Sequence, residues 1–430
     1  CTQMEVVDTE DTYYAMLREG GFVCMATGTL AEPFWTNGIG HYLTKSATLT
    51  IGGTDISTVD GAFLYCWDEL TGTTGKDLSQ MVGKYADDDA CKRHSKRFQR
   101  LVVPLPFWFN ETSLSLPLIG LNFHTVQLKA EFNRLDDAIV NGYGSDSEVQ
   151  VDGTTAVGKY FYPELNGDDN NYVVTAKKED KMKTMIRKYE GQWEDAASSG
   201  KREFCPLLNA LSNDAIEAFN RFSGHNSHVE RYLECGYIFL GNKERKAFAS
   251  LKHNVVMNQT QEVTSSRTDF SDHSTTRDNL YMSHPVMELI WVFRHVRDRQ
   301  EKRHMKFHSV DRCTGLRRHH IAEQRLSINN HNRWHMPSSN YFQLVQPWMH
   351  HTKVPKEMVY SFSFALEPES HVPTGNINMS RVSTVTMEVM PNEYPFQCVK
   401  DADSRLERLM WARNMNVLRI SSGLGGLLFA

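Results

Sequence analysis

Histidine is the residue type whose number and spacing most invite chemistry in this chain. Eight of the 18 histidines fall between positions 304 and 351, beside the arginine-rich stretch 294–325. An imidazole can ligate a metal or titrate near neutral pH, so the region is read first as a metal site or a pH sensor. The spacing argues against joint ligation. His319-His320 and His350-His351 are adjacent pairs, and neighbouring strand residues point to opposite faces. Solvated loops at a rim or subunit interface account for the cluster better. Cys1, Cys24, Cys66, Cys91, Cys205, Cys235, Cys313 and Cys398 include no C-x-x-C pair. They are expected to be reduced thiols, many of them core residues, in an intracellular product, with no zinc site.

Other catalytic signatures fail on inspection. GTTGKD at Gly72–Asp77 approximates a phosphate loop but lacks the first glycine and the Ser/Thr after lysine. No GxSxG elbow and no HExxH helix is present. GLGG at Gly423–Gly426 lacks dinucleotide spacing and a following βαβ unit. Neither an enzymatic activity nor a cofactor is expected. A net charge of −5 argues against a dominant nucleic-acid surface. No apolar run reaches the roughly 18 residues of a membrane span, and the opening residues lack a signal-peptide pattern. The basic run KRHSKRFQR within Asp87–Val102 reads as a solvated helix or loop.

The rest of the chain supplies scaffold. Its 430 residues suit two domains of about 200. The stretch Leu101–Leu128 reads as two apolar strands, Val102–Phe109 and Leu116–Leu128, around a polar turn at Asn110–Ser115. Tyr360–Glu388 repeats the plan: an aromatic strand with Phe362 and Phe364, a turn with Pro373, and an alternating strand. One such unit per half predicts two similar all-β units in tandem. Residues 34–71 read as alternating strand and turn, with Gly52-Gly53 as a hairpin turn after the strand Lys45–Ile51. Tyr143–Tyr172 is polar and turn-rich. Helical spacing follows at Met182, Met185, Ile186, Tyr189 and Trp193, and again after Asn213, at Ile216, Phe219 and Phe222. Tyr232–Gly241 is expected to return to strand, Asn242–Lys252 to be helical, His253–Val263 to be a strand and Thr264–Arg277 a loop.

Five blocks in order carry a specific resemblance. They are FWTNGIGHYLTKSATLTIGG with FLYCWDELT (Phe34–Gly53, Phe63–Thr71), LPFWF…LPLIGLNFHTV, SHPVMELIWVF (Ser283–Phe293), FALEPESHVPTGNINMSRV (Phe364–Val382) and NVLRISSGLGGLLF (Asn416–Phe429). Together the pattern resembles the major capsid proteins of large nucleocytoplasmic DNA viruses, the double jelly-roll family of algal viruses and iridoviruses. The resemblance implies an all-β fold of two tandem eight-stranded antiparallel jelly rolls with helical and loop insertions. The first roll would span 1–250, with an insertion at about 143–222, and the second 251–430. An N-terminal arm is expected ahead of the Phe34 block and is missing here, unless the N-terminus is a diverged, shorter one.

The resemblance further implies motif residues with structural roles: Pro106, Phe107, Trp108, Phe109, Pro117, Pro285, Trp291, Pro373, Gly375, Arg381, Asn416, Arg419, Gly423, Gly425 and Gly426. The closing strand Val417–Ile420 and its glycines are expected inside the second sandwich. The expected function is a homotrimeric capsomer subunit of an icosahedral virion, assembled in the host cytoplasm. Its partners would be itself, neighbouring capsomers, and minor capsid and penton proteins, without direct nucleic acid. A paralogous minor capsid subunit and a carbohydrate-binding jelly roll are the alternatives. The sequons Asn110, Asn258 and Asn378 are possible glycosylation sites, expected to stay bare in a cytoplasmic product.

Overall fold

The computed structural model describes residues 34–72, 77–95, 99–140, 148–151, 154–159, 175–176, 231–269, 275–310, 317–332, 337–392 and 405–429. Trp35–Val140 and Gly236–Ala430 form one compact unit, and Cys1–Phe34 with Asn141–Cys235 form another. In the latter, Glu148–Val151, Thr154–Lys159 and Thr175–Ala176 make a small antiparallel sheet. The expected helices around Met182–Trp193 and after Asn213 lie outside the described residues.

The larger unit opens with a short helix α1 (Ile39–Leu43) and a hairpin of β1 (Thr44–Ile51) and β2 (Thr54–Asp60). Its turn is Gly52-Gly53, with φ of 59° and 84°. Two positive φ values in a two-residue loop match the right-handed twist of the flanking strands, and glycine adopts them without a Cβ penalty. β1 also pairs with β3 (Val126–Phe132). Ala47, Leu49 and Ile51 alternate inward.

Helix α2 (Gly61–Leu70) follows, where alternating strand and turn were expected. The Asp60 carboxylate accepts the Phe63 N–H at 2.8 Å and caps the helix start. Its residues are buried round most of its circumference, so no polar face marks the helical period. Helix α3 (Asp88–Ser95) takes in the first four residues of the basic run, Lys92–Ser95. Helix α4 (Asn242–Ser250) is the one expected from sequence; Glu244 reaches back to accept the Gly241 N–H at 2.9 Å.

A four-stranded sheet contains β5 (Thr276–Leu280), β7 (Ile321–Ile328) and β9 (Val385–Pro391), with His331–Asn332 at its edge. Facing it is a six-stranded sheet with β8 (Val359–Ser363), β6 (Pro285–His295), β10 (Arg405–Ser421), β11 (Leu424–Leu427) and β4 (His253–Asp269). All pairs within these sheets are antiparallel. Their shared core holds Leu289, Trp291, Phe293, Met387 and Met410.

β6 is buried on both faces. Leu289, Trp291 and Phe293 enter that sandwich core. Ile290 and Val292 point the other way, into a second core with Leu49, Ile51, Phe63 and Trp108. β10 behaves likewise, with Met410 and Ala412 on one side and Trp411 on the other. Period-2 alternation sends neighbours to opposite faces. The two strands are therefore a wall between two cores, which is why an antiparallel strand carries an almost unbroken apolar run.

Several sequence expectations are corrected. The two expected strands, Val102–Phe109 and Leu116–Leu128, do not form as such. Val102–Thr125 is irregular chain with tight 3-10 turns at Trp108–Asn110, Thr112–Leu114 and Leu118–Gly120, and β3 begins only at Val126. Pro104, Pro106 and Pro117 remove ladder donors, while the aromatic side chains still enter the core. Tyr232–Gly241 is exposed chain rather than strand. Thr264–Asp269 continues β4 instead of looping, because its backbone is paired along β10; tertiary pairing overrides its Ser/Thr-rich composition.

Candidate functional site

The wall between the cores also carries the buried charges. On the face turned toward α2, β6 and β10 oppose each other as Glu288–Arg413, Ile290–Trp411, Val292–Leu409 and Arg294–Glu407. Two apolar rows are bracketed by two ion pairs of opposite polarity. Arg413 donates to Glu288 at 2.5 Å, and Arg294 to Glu407 at 2.8 Å. Directly opposed side chains in an antiparallel ladder are the closest cross-strand neighbours, so the register alone brings these charges together.

The Glu288 end is the more elaborate. Glu288 is 0% exposed, and its second oxygen lies 3.1 Å from His351 Nε2. The other nitrogen of His351 is 3.1 Å from Glu369. Arg413 also donates to the Pro368 carbonyl at 2.8 Å and sits 3.9 Å from the centroid of Trp67 on α2. Burial alone would raise the Glu288 carboxyl; the charges of His351 and Arg413 outweigh it and hold the group below its usual range. Burial pulls His351 down, but Glu288 and Glu369 reverse this and raise it to about 9.

Further contacts tie α2 to residues 353–357. Glu69 pairs with Lys84 and accepts the Lys356 N–H at 2.8 Å. Lys353 donates to the Asp68 carbonyl at 3.0 Å. Glu357 in turn is held by His308 at 2.6 Å and Arg317 at 2.5 Å. These groups are salt-bridged and hydrogen-bonded across long sequence separations. Their chemistry is that of a fastening rather than a reaction.

The motif residues divide among several places. Phe107 and Trp108 are buried in the core beside α2, and the Phe107 and Phe109 rings stack at 5.4 Å. Pro106 and Pro117 are half-buried beside them. Pro285 opens β6 opposite Asn378. Trp291 lies in the other core and donates to Gln324 at 2.7 Å. Pro373 and Arg381 are exposed. Gly375, at φ 142°, leaves only 3.0 Å between a would-be Cβ and the Phe364 carbonyl. Asn416 is buried and clamps the chain end, donating to the Phe429 carbonyl at 2.7 Å. Arg419 is exposed and donates to Asn254 at 3.2 Å.

The closing glycines correct one expectation. Gly425 packs against Leu121 and Ile51, and Gly423 against the Phe123 ring, in the first half rather than inside the second sandwich. A Cβ on Gly426 would meet nothing within 4 Å. Of the sequons, Asn110 and Asn378 are exposed and Asn258 is half-buried. The members of each histidine pair have separate partners: His319 faces Tyr360 and Asn340, and His320 faces Ser309.

Sequence reading missed Asp60, Trp67, Glu288 and Arg413, and named His351 only as a member of the histidine cluster. The available signal was a lone charge inside an apolar strand, as in VMELIWVF and LMWARNM.

Comparison with known proteins agrees with this architecture. Residues 244–426 match the family model described as large eukaryotic DNA virus major capsid protein, and residues 15–160 match that of the major capsid protein N-terminus. The chain is 26% identical over 431 residues to the major capsid protein of Pyramimonas orientalis virus, covering 94% of this chain and 81% of that one. It is 24% identical to probable capsid protein 4 of Acanthamoeba polyphaga mimivirus, over 92% and 80% of the two chains. The quasi-atomic PBCV-1 virus capsid structure superposes with a TM-score of 0.58 at 20% identity, over 93% and 88%. The fold is a double jelly roll of the viral capsid class. The chain belongs to the family of large eukaryotic DNA virus major capsid proteins, which is structural rather than enzymatic.

Proposed function

We propose that three copies of this chain close around a three-fold axis into a pseudo-hexagonal capsomer that tiles an icosahedral shell. The observation that carries this reading is the wall of β6 and β10, buried on both faces. It joins two packed cores into one compact unit, and a rigid two-part block suits a subunit that presents two wedges. Three chains would then supply six. Closed symmetry stops growth at a defined size, and a permanent contact on the order of 2,000 Å² or more per pair is what such a trimer needs. The division between the rolls is placed near residue 250, which the start of the second family match at 244 supports. The motif prolines, glycines and aromatics are scaffold. Asn110, Asn258 and Asn378 remain unmodified in this reading. Neighbouring capsomers and minor capsid and penton proteins are the partners, and assembly takes place in the host cytoplasm.

Light scattering on this 430-residue chain should give three times 49.3 kDa and hold on dilution. A stable monomer at micromolar concentration would overturn the trimer. A paralogous shell subunit is a second reading, favoured by the comparable identity to a protein named probable capsid protein 4. The abundance of this chain in purified virions separates the two.

A further inference from the structure

We propose that the segment His304–Ser309 is an acid-released clasp between the second sandwich and the N-terminal half, pinned near each end by a histidine that the packing accommodates only when neutral.

The segment follows β6 after the short helix Val296–Gln300 and carries Met305 and Phe307 into the core beside α2. Phe307 meets the Tyr65 ring at 5.6 Å. At its start, His304 stacks on Tyr42 at 4.1 Å, and its Nε2 lies 2.9 Å from the Asp137 carbonyl. Its own carbonyl accepts from Arg294 at 2.7 Å. At its end, Ser309 Oγ meets Nδ1 of His320 at 2.9 Å. His320 is 1% exposed, and its Nε2 is buried with no hydrogen-bond partner among the described residues. One short strap thus bridges two parts of the unit and hangs between two imidazoles.

Burial disfavours a second proton on either ring. His295 from β6, His308 and Lys306 from the strap, and His319 beside it surround His320 and add to that effect. At His304, Arg294 from β6 and Arg299 beyond it also oppose the proton, while Asp137 favours it through its carbonyl and its charge without overcoming burial. Carboxylates nearby already have cations: Glu357 holds Arg317, Asp298 holds Lys306, and Glu407 holds Arg294. An imidazolium at position 320 would bury a charged N–H without an acceptor. Burial, joined by the neighbouring His295, His308, Lys306 and His319, holds His320 well below the ordinary histidine range, and burial takes His304 to about 4.

The direction of the pH effect follows. Both groups titrate lower in the folded protein than in an opened strap. The strap is therefore fully held above about pH 6.5 and weakens as pH falls below that value. Each proton taken up on opening multiplies the opening constant by about ten per pH unit.

Hydrogen exchange on the complete chain, corrected for intrinsic rates, tests this between pH 7.5 and 4.5. Protection of residues 304–309 should fall by about tenfold per pH unit for each histidine below pH 6.5, while that of β10 holds. Strap protection that does not change with pH, or that falls only together with β10, would overturn the proposal. His304→Gln and His320→Gln cannot titrate and should each flatten the response. If His320→Gln fails to fold, His304→Gln and the wild-type profile still decide. A variant that folds and keeps the full response refutes the role of that histidine.

Discussion

Trp411 in the middle of β10 donates its indole N–H to Asp60 Oδ2 at 2.5 Å. The other Asp60 oxygen caps α2. One half-buried carboxylate thus fixes both the start of a helix and a wall residue far away in the chain. Asp60→Ala should lose the cap and leave the indole N–H unpaired, a destabilisation of about 2–4 kcal/mol. Denaturant unfolding measures it. In the Trp411→Phe background the same change should cost less, because the donor is already gone.

The Glu288–Arg413 pair makes a sharper case. Removing one partner of a buried pair strands the other charge, at about 3–5 kcal/mol. Glu288→Met or Arg413→Met should each show this loss in chemical denaturation. The double replacement should recover much of it, since apolar side chains of similar volume suit the site. Additive losses would show that the two charges act independently.

His351 gives stability an alkaline limit. Its folded pKa, about 9, lies above the unfolded value near 6.5. Its contribution is therefore fully present below pH 6.5 and disappears as pH rises through 9. The urea midpoint should fall between pH 7 and 10, and His351→Gln should flatten that slope.

Two adjacent glycines should differ. Gly425→Val drives a side chain into Leu121, 2.7 Å from a bare Cβ, and into Ile51 at 3.1 Å. Overpacking of this kind costs about 1–3 kcal/mol and should lower the yield of folded protein. Gly426→Ala meets open space and should leave the melting temperature unchanged within error.

What could be read in advance follows physical lines. The Gly52-Gly53 hairpin, α4 and the alternating strand at Val385–Pro391 are local, set by turn chemistry, a reciprocal cap and period 2. The shell-protein class was legible because five blocks recur in order. The segment around Pro104 and Pro106 misled, because apolar content marks burial whereas strand pairing needs N–H donors. Helix α2 misled because it is buried nearly all round and shows no polar face. The charged fastening was hidden for a different reason. Glu288 stands out in its strand, but Arg413 lies 125 residues away, and only the ladder register opposes them.

The ladder between β4 and β10 runs from Arg405 opposite Asp269 to Ile420 opposite His253 with a single irregularity. Its hydrogen bonds lie across the strand axis. Tension applied along the strands therefore loads the whole row in shear, and the row yields together instead of unzipping bond by bond. A pull at right angles would open it from one end. A shell wall built from such subunits would be stiff to stretching along these strands and would give way first at the contacts between subunits.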